Sequence, residues 1–80
     1  MPRTPRVVLY TIPGRCPLCD EARTVLEAEK VPFLEVDIRT DRELLRAYRT
    51  EIPVVTVDGD EAFRGRIALP DLRARLARRP

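Results

Sequence analysis

The chain has 80 residues, 44% of them hydrophobic and 35% charged, and its 15 basic and 13 acidic side chains interleave to a net charge of +2. This length sets one domain, residues 1–80, as the expectation, with a modest core, since a chain near this size buries only roughly 60% of its unfolded surface. The composition reads as globular rather than disordered, no apolar run approaches the roughly 20 residues that cross a bilayer, and the charge is too even to point to nucleic acid. The N-terminal MPRTPR lacks the apolar core of a signal peptide, so the expected location is cytoplasmic, with neither membrane nor nucleic acid as partner.

RVVLYT (6–11) is an apolar, β-branched run after a Pro-punctuated start and reads as a buried strand. IPGR (12–15) is a loop. Over residues 17–30, Leu18, Ala22, Val25 and Leu26 recur on one helical face. Pro17 suits the first helical position, where its missing N–H costs nothing, and Pro32 follows the expected stop. FLEVDI (33–38) is a second strand. Thr40 followed by Glu43 fits a capping box for a short helix ending near Thr50, with Leu44, Leu45 and Tyr48 as its apolar side. PVVTV (53–57) is a third strand. DGD (58–60) is a hairpin signal, so EAFRG (61–65) becomes an antiparallel fourth strand. A last helix opens at Pro70 and runs to about Arg78, with Leu69, Leu72 and Leu76 on one face and Arg73, Arg75, Arg78 and Arg79 wet near its C-terminus. The order β-α-β-α-β-β-α predicts an α/β fold: a four-stranded mixed sheet flanked by three helices, parallel where strands alternate with helices and antiparallel at the hairpin.

The chemistry-bearing residues are the two cysteines, Cys16 and Cys19. Residues at i and i+3 share a helix face with Cα atoms about 5–6 Å apart, within the disulfide range of about 4.4–6.8 Å. As a structural staple the pair is weak, because closing four residues yields only roughly 2 kcal/mol. As a metal site it is short of ligands: the chain has no His and no third Cys, so zinc or an iron–sulfur cluster would have to be shared between two copies. As a redox pair it is complete. Cys16 falls at a helix N-terminus, where unpaired N–H groups and the dipole favour an anion. Arg15 and Pro17 flank it as the candidate pKa-tuning residues, while Cys19, one turn deeper, is expected to be less exposed and less acidic. A Cys16 pKa near 6 rather than about 8.5 would raise its thiolate fraction at pH 7 from roughly 3% to about 90%. Falling nucleophilicity offsets most of that gain, so the main benefit is a good leaving group and a stabilised reduced form.

YTIPGRCPLCDEA (10–22) resembles the active-site segment of glutaredoxins, within the thioredoxin fold, and is most similar to small bacterial glutaredoxin-like proteins with Cys-x-Leu-Cys followed by Asp. The resemblance runs from the first strand through the last helix. It implies that Cys16 is the nucleophile and Cys19 the resolving thiol, and that the Ile52–Pro53 bond is cis. It further implies that the Ile52 backbone holds an incoming peptide or glutathione by strand-like hydrogen bonds, with Tyr10, Pro53, Arg64 and Gly65 completing the substrate site. Leu18 stands where glutaredoxins carry Tyr or a similar residue. Where they usually show Gly-Gly and an Asp, this chain has Gly65 between Arg64 and Arg66, with Asp71 further on. The two arginines either replace the lost anion contacts or are edge charges that discourage strand pairing.

Three functions remain in view. The leading expectation is a thiol–disulfide oxidoreductase without a tightly bound cofactor or metal. Its partners would be disulfide-containing proteins or glutathione, and glutathione, thioredoxin or a thioredoxin reductase would restore its thiols. The alternatives are a module holding an iron–sulfur cluster or zinc between two subunits, and a redox-sensitive adaptor.

Overall fold

The computed structural model describes residues 4–77. The elements are β1 (Val7–Thr11), α1 (Pro17–Ala28), β2 (Leu34–Asp37), a 3₁₀ turn (Ile38–Thr40), α2 (Arg42–Tyr48), β3 (Val54–Val57), β4 (Asp60–Arg64) and α3 (Leu69–Ala77). The expected order of strands and helices is present, as a four-stranded sheet in the order β2-β1-β3-β4. Arg78, the expected end of the last helix, and Arg79 lie outside the described residues.

β1 pairs with β2 in parallel, with Tyr10 opposite Val36. The expectation of parallel pairing fails at β3, which runs antiparallel to β1 with Tyr10 opposite Val54. The two helices differ in length accordingly. The 12 residues of α1 span about 18 Å, enough to return the chain along a strand and start a parallel neighbour. The 7 residues of α2 span only about 10 Å. Here the chain crosses the sheet without returning, and β3 starts at the end of the sheet where β1 and β2 finish.

Alternation along β1 divides the interior. Val7, Leu9 and Thr11 are buried, and Val8 and Tyr10 half-buried. Val7 and Leu9 pack with Ala22 and Leu26 of α1, Val55 and Val57 of β3, Leu72 of α3 and Ile67 just before it. On the opposite face the Tyr10 ring meets Tyr48 of α2, centroids 5.2 Å apart. β3, between β1 and β4, is buried at every position, which is why its sequence, Val-Val-Thr-Val, is β-branched throughout and does not alternate with charged residues. Leu69, expected on the inner face of the last helix with Leu72 and Leu76, stays 38% exposed while Leu72 is fully buried. It opens α3, one turn before the part that reaches the core.

Local chemistry sets the boundaries. α1 ends two residues before the expected Lys30: the Lys30 amide donates to the Glu27 carbonyl and the Val31 amide to the Leu26 carbonyl, with Lys30 at φ 56°. This is a Schellman motif, closed by Lys in the left-handed position that Gly usually takes. The expected Thr40 capping box does not form. The Thr40 hydroxyl donates to the Asp37 carbonyl instead, and the Asp41 carboxylate caps α2 by accepting the Glu43 and Leu44 amides at 2.8 and 3.1 Å. Asp58 and Gly59, at φ 52° and 87°, form a two-residue turn with the positive φ values that a type I′ hairpin requires. Among the described residues no helix is long and apolar enough to cross a membrane.

Leu26 is fully buried and anchors α1 to the sheet. Leu26→Ala should lower stability by about 2–5 kcal/mol, read as a fall in the urea midpoint with an unchanged m value.

Candidate active site

The loop after β1 is built to present Cys16. The Arg15 amide donates to the Ile12 carbonyl at 3.2 Å and Gly14 has φ 83°, so Ile12-Pro13-Gly14-Arg15 forms a tight turn with Pro and Gly in the positions that a type II turn favours. The turn delivers Cys16 in an extended conformation as the N-cap of α1, with Pro17 opening the helix. The Cys16 sulfur accepts the Cys19 amide at 3.1 Å. A sulfur thus fills the role that a Ser or Asp oxygen usually plays at a helix start. Any negative charge on it faces an N–H donor and the positive end of the helix dipole.

Cys16 and Cys19 are joined as a disulfide with Cα atoms 5.1 Å apart. Cys16 is half-buried and Cys19 fully buried, so only the first sulfur is within reach of a large partner. Arg15 is exposed beside it.

The antiparallel pairing of β3 with β1 puts the Ile52–Pro53 segment at the sheet end that also carries the Cys16 loop. The Ile52–Pro53 bond is cis, as the glutaredoxin resemblance implied, and Pro53 is buried while Ile52 is half-buried. Gly65, at φ 72°, donates its amide to the Pro53 carbonyl at 2.7 Å, so this N–H is not free for a ligand. Arg64 is likewise engaged, with the Glu51 carboxylate 2.5 Å away and a second contact to Glu61; an incoming carboxylate would have to displace them. Arg66 is 3.7 Å from Glu21 and largely exposed. Tyr10 is turned to the α2 side of the sheet, against Tyr48. Tyr48, read from sequence only as part of an apolar face, is what holds it.

One constellation escaped the sequence reading. The Glu35 carboxylate on β2 accepts the Arg23 Nε and Nη2 protons, both at 2.6 Å, and the Thr11 hydroxyl at 2.8 Å. Arg23 Nη1 donates to Asp20 at 2.8 Å. The network joins the end of β1, the middle of β2 and the first two turns of α1, and Arg23 is one turn beyond Cys19. Glu35 is held below the usual carboxylate range, chiefly by the Arg23 hydrogen bonds, with Thr11 adding to them and burial opposing. The Arg23 guanidinium is correspondingly held more firmly protonated, first by Glu35 and then by Asp20. A hint is present in the sequence: Asp20 and Arg23 at i, i+3 form a helical ion pair. Their link to Glu35 depends on strand register.

The cysteine-bearing turn at the head of α1, set beside a cis-proline strand, defines a thioredoxin-fold protein of the glutaredoxin type. Residues 6–77 match the family model described as Glutaredoxin-like domain (DUF836), and the chain belongs to that family. Protein XcR50 from X. campestris is 34% identical, with 92% of this chain and 99% of that one aligned at a TM-score of 0.79. Protein Ne2328 from Nitrosomonas europaea superposes at a TM-score of 0.83 over 96% of both chains, at 20% identity. Glutaredoxin 1 from Francisella tularensis shares the fold at a TM-score of 0.56, with 21% identity over 88% of this chain and 90% of that one. Among curated proteins none matches significantly.

Because Glu35 ionises more readily in the folded chain than in the unfolded one, its contribution to stability is full above the ordinary glutamate pKa of about 4.3. That contribution is lost as pH falls through the lower folded value. Glu35→Gln should therefore destabilise by about 1 kcal/mol at neutral pH. Urea unfolding should show the gap between variant and parent narrowing as pH drops below about 4.

Proposed function

We propose that the protein is a thiol–disulfide oxidoreductase acting through Cys16 and Cys19. The observation that carries this reading is the Cys16 sulfur at the N-cap of α1, accepting the Cys19 amide and bonded to a fully buried partner. In the reduced protein, helix dipole, amide and the nearby Arg15 all favour the Cys16 thiolate, and Pro17 orients the first turn without offering a competing N–H.

The thiolate attacks one sulfur of a substrate disulfide. A bond forms from Cys16 to that sulfur, the substrate S–S bond breaks, and the departing thiolate takes a proton from solvent. Cys19 then loses its proton and attacks the Cys16 sulfur. The mixed disulfide breaks, the second substrate thiol leaves, and the intramolecular disulfide closes. Two electrons have passed from the dithiol to the substrate. A cellular thiol or dithiol, glutathione or a thioredoxin system, returns them. The cytoplasm, where such systems keep thiols reduced, is the compartment this reading assigns.

The substrates are protein or glutathione mixed disulfides. The Ile52 backbone beside Pro53 holds the substrate as an added strand, and Tyr10 supports that edge. The engagement of Arg64 with Glu51 and Glu61, and of the Gly65 amide with Pro53, favours a protein chain over glutathione as the preferred partner, because a small peptide bound through its two carboxylates depends on free cations and amides.

In the reduced protein, alkylation of Cys16 should titrate with a midpoint at or below about 7, with Cys19 much slower. Cys16→Ser should abolish turnover, whereas Cys19→Ser should accumulate the mixed disulfide, visible by mass spectrometry. Full turnover by the Cys16→Ser protein, or a midpoint near 8.5 for both thiols, would overturn the reading.

A further inference from the structure

α2 carries an arginine stripe that the dithiol chemistry does not use. Arg42, Arg46 and Arg49 are all exposed and stand at i, i+4 and i+7, on one helical face. With the half-buried Leu45 they line an open surface depression of about 390 Å³. Five other arginines, Arg23, Arg39, Arg64, Arg66 and Arg73, are in ion pairs, while Arg6, Arg15 and Arg75 are scattered singly; the stripe is where unpaired arginines gather on one face. Among the described residues no carboxylate lies within 4.0 Å of the three stripe arginines.

The stripe is only partly explained by the helix that carries it. Arg42 is the first residue of α2, at the positive end of the dipole, where a cation is disfavoured. Like charges at i, i+4 and i, i+3 also repel along a helix face. Glu43 sits about 100° round the helix from Arg42, and Asp41 is engaged in capping. Arg46, in the last turn, and Arg49, at the C-cap, suit the dipole, but three cations on one face with no carboxylate beside them repel one another and leave that face suited to an external anion.

Position identifies the kind. α2 leads directly into the Ile52–Pro53 segment, the Glu51 amide closing the connection on the Tyr48 carbonyl at 2.8 Å. A polypeptide paired on the Ile52 backbone needs only about three extended residues to pass the roughly 10 Å of α2. We infer that Arg42, Arg46 and Arg49 form a docking strip for acidic polypeptide around the disulfide being reduced, so that the substrates are acidic protein segments. This rests on the oxidoreductase reading above and adds the substrate class to it. Leu45, in the floor of the depression, gives such a segment an apolar contact among the charges.

The test uses two synthetic peptides, each with one cysteine held as a mixed disulfide with 2-mercaptoethanol. Glutamates flank the cysteine in one and glutamines in the other. Single-turnover reduction by the pre-reduced full chain needs no other enzyme. At low ionic strength the acidic peptide should react at least about tenfold faster, the scale on which charge steering acts. That advantage should fade by about 0.3 M salt. The triple variant R42Q/R46Q/R49Q, with circular dichroism as the folding control, should lose the advantage. Equal rates for the two peptides, or an advantage that survives the triple substitution, overturns the strip and leaves the oxidoreductase reading intact. If neither peptide is reduced, the oxidoreductase reading fails, and the strip is judged by binding alone. The acidic peptide with Ser in place of its cysteine should then shift the amide resonances of residues 42–49 at low salt, and their absence overturns it. A duplex DNA oligonucleotide that displaces the acidic peptide from those residues also overturns the assignment to protein.

Discussion

Everything else at the site depends on the contact between the Cys16 sulfur and the Cys19 amide at the head of α1. A helix start needs an acceptor for its unpaired N–H groups. A nucleophilic thiolate needs donors to spread its charge. At Cys16 one atom meets the first requirement and is placed to meet the second. The geometry is imposed from two sides. The Pro13-Gly14 turn brings the chain in extended, and Pro17 sends it out helical. Cys19 follows three residues later because only a residue in the first turn can offer both its amide and its own sulfur to Cys16.

The second constraint is the length of α2. Through its seven residues the chain crosses the sheet without returning along it, and β3 begins where β1 ends. A parallel β3 would put the Ile52–Pro53 segment at the opposite end of the sheet from the cysteines. The antiparallel entry of β3 makes one end of the sheet a site, with a sulfur pair on one side and an open stretch of backbone on the other. The Tyr10–Tyr48 contact fixes α2 over that end from the face opposite α1.

Charge is distributed with the same economy. Arg23 is tied to Glu35 and Asp20, which locks the first turns of α1 onto β1 and β2. Arg64 is tied to Glu51 and Glu61, which locks the end of β4 to the segment before Pro53. These pairs serve architecture, and beside Gly65 they leave only Arg66 largely exposed. The α2 arginines are the contrasting case, drawn together without internal counterions.

The sequence by itself determined the elements and the cysteine pair. Apolar period, the Asp58-Gly59 turn, Pro17 and the Cys16/Cys19 spacing are local signals, set by backbone sterics and by the reach of one helical turn, and the fold class followed from their order. Ends decided by competing local bonds were less legible. Both Thr40 and Asp41 offer a cap to α2, and Asp41 takes it because the Thr40 hydroxyl is already bound to Asp37. Only the tertiary structure decided the direction of β3, the pairing of Glu35 with Arg23, the meeting of Tyr10 and Tyr48, and the engagement of Arg64 and Gly65. Each joins residues far apart in the chain, through strand register and helix length acting together, and no window of neighbouring residues contains that information.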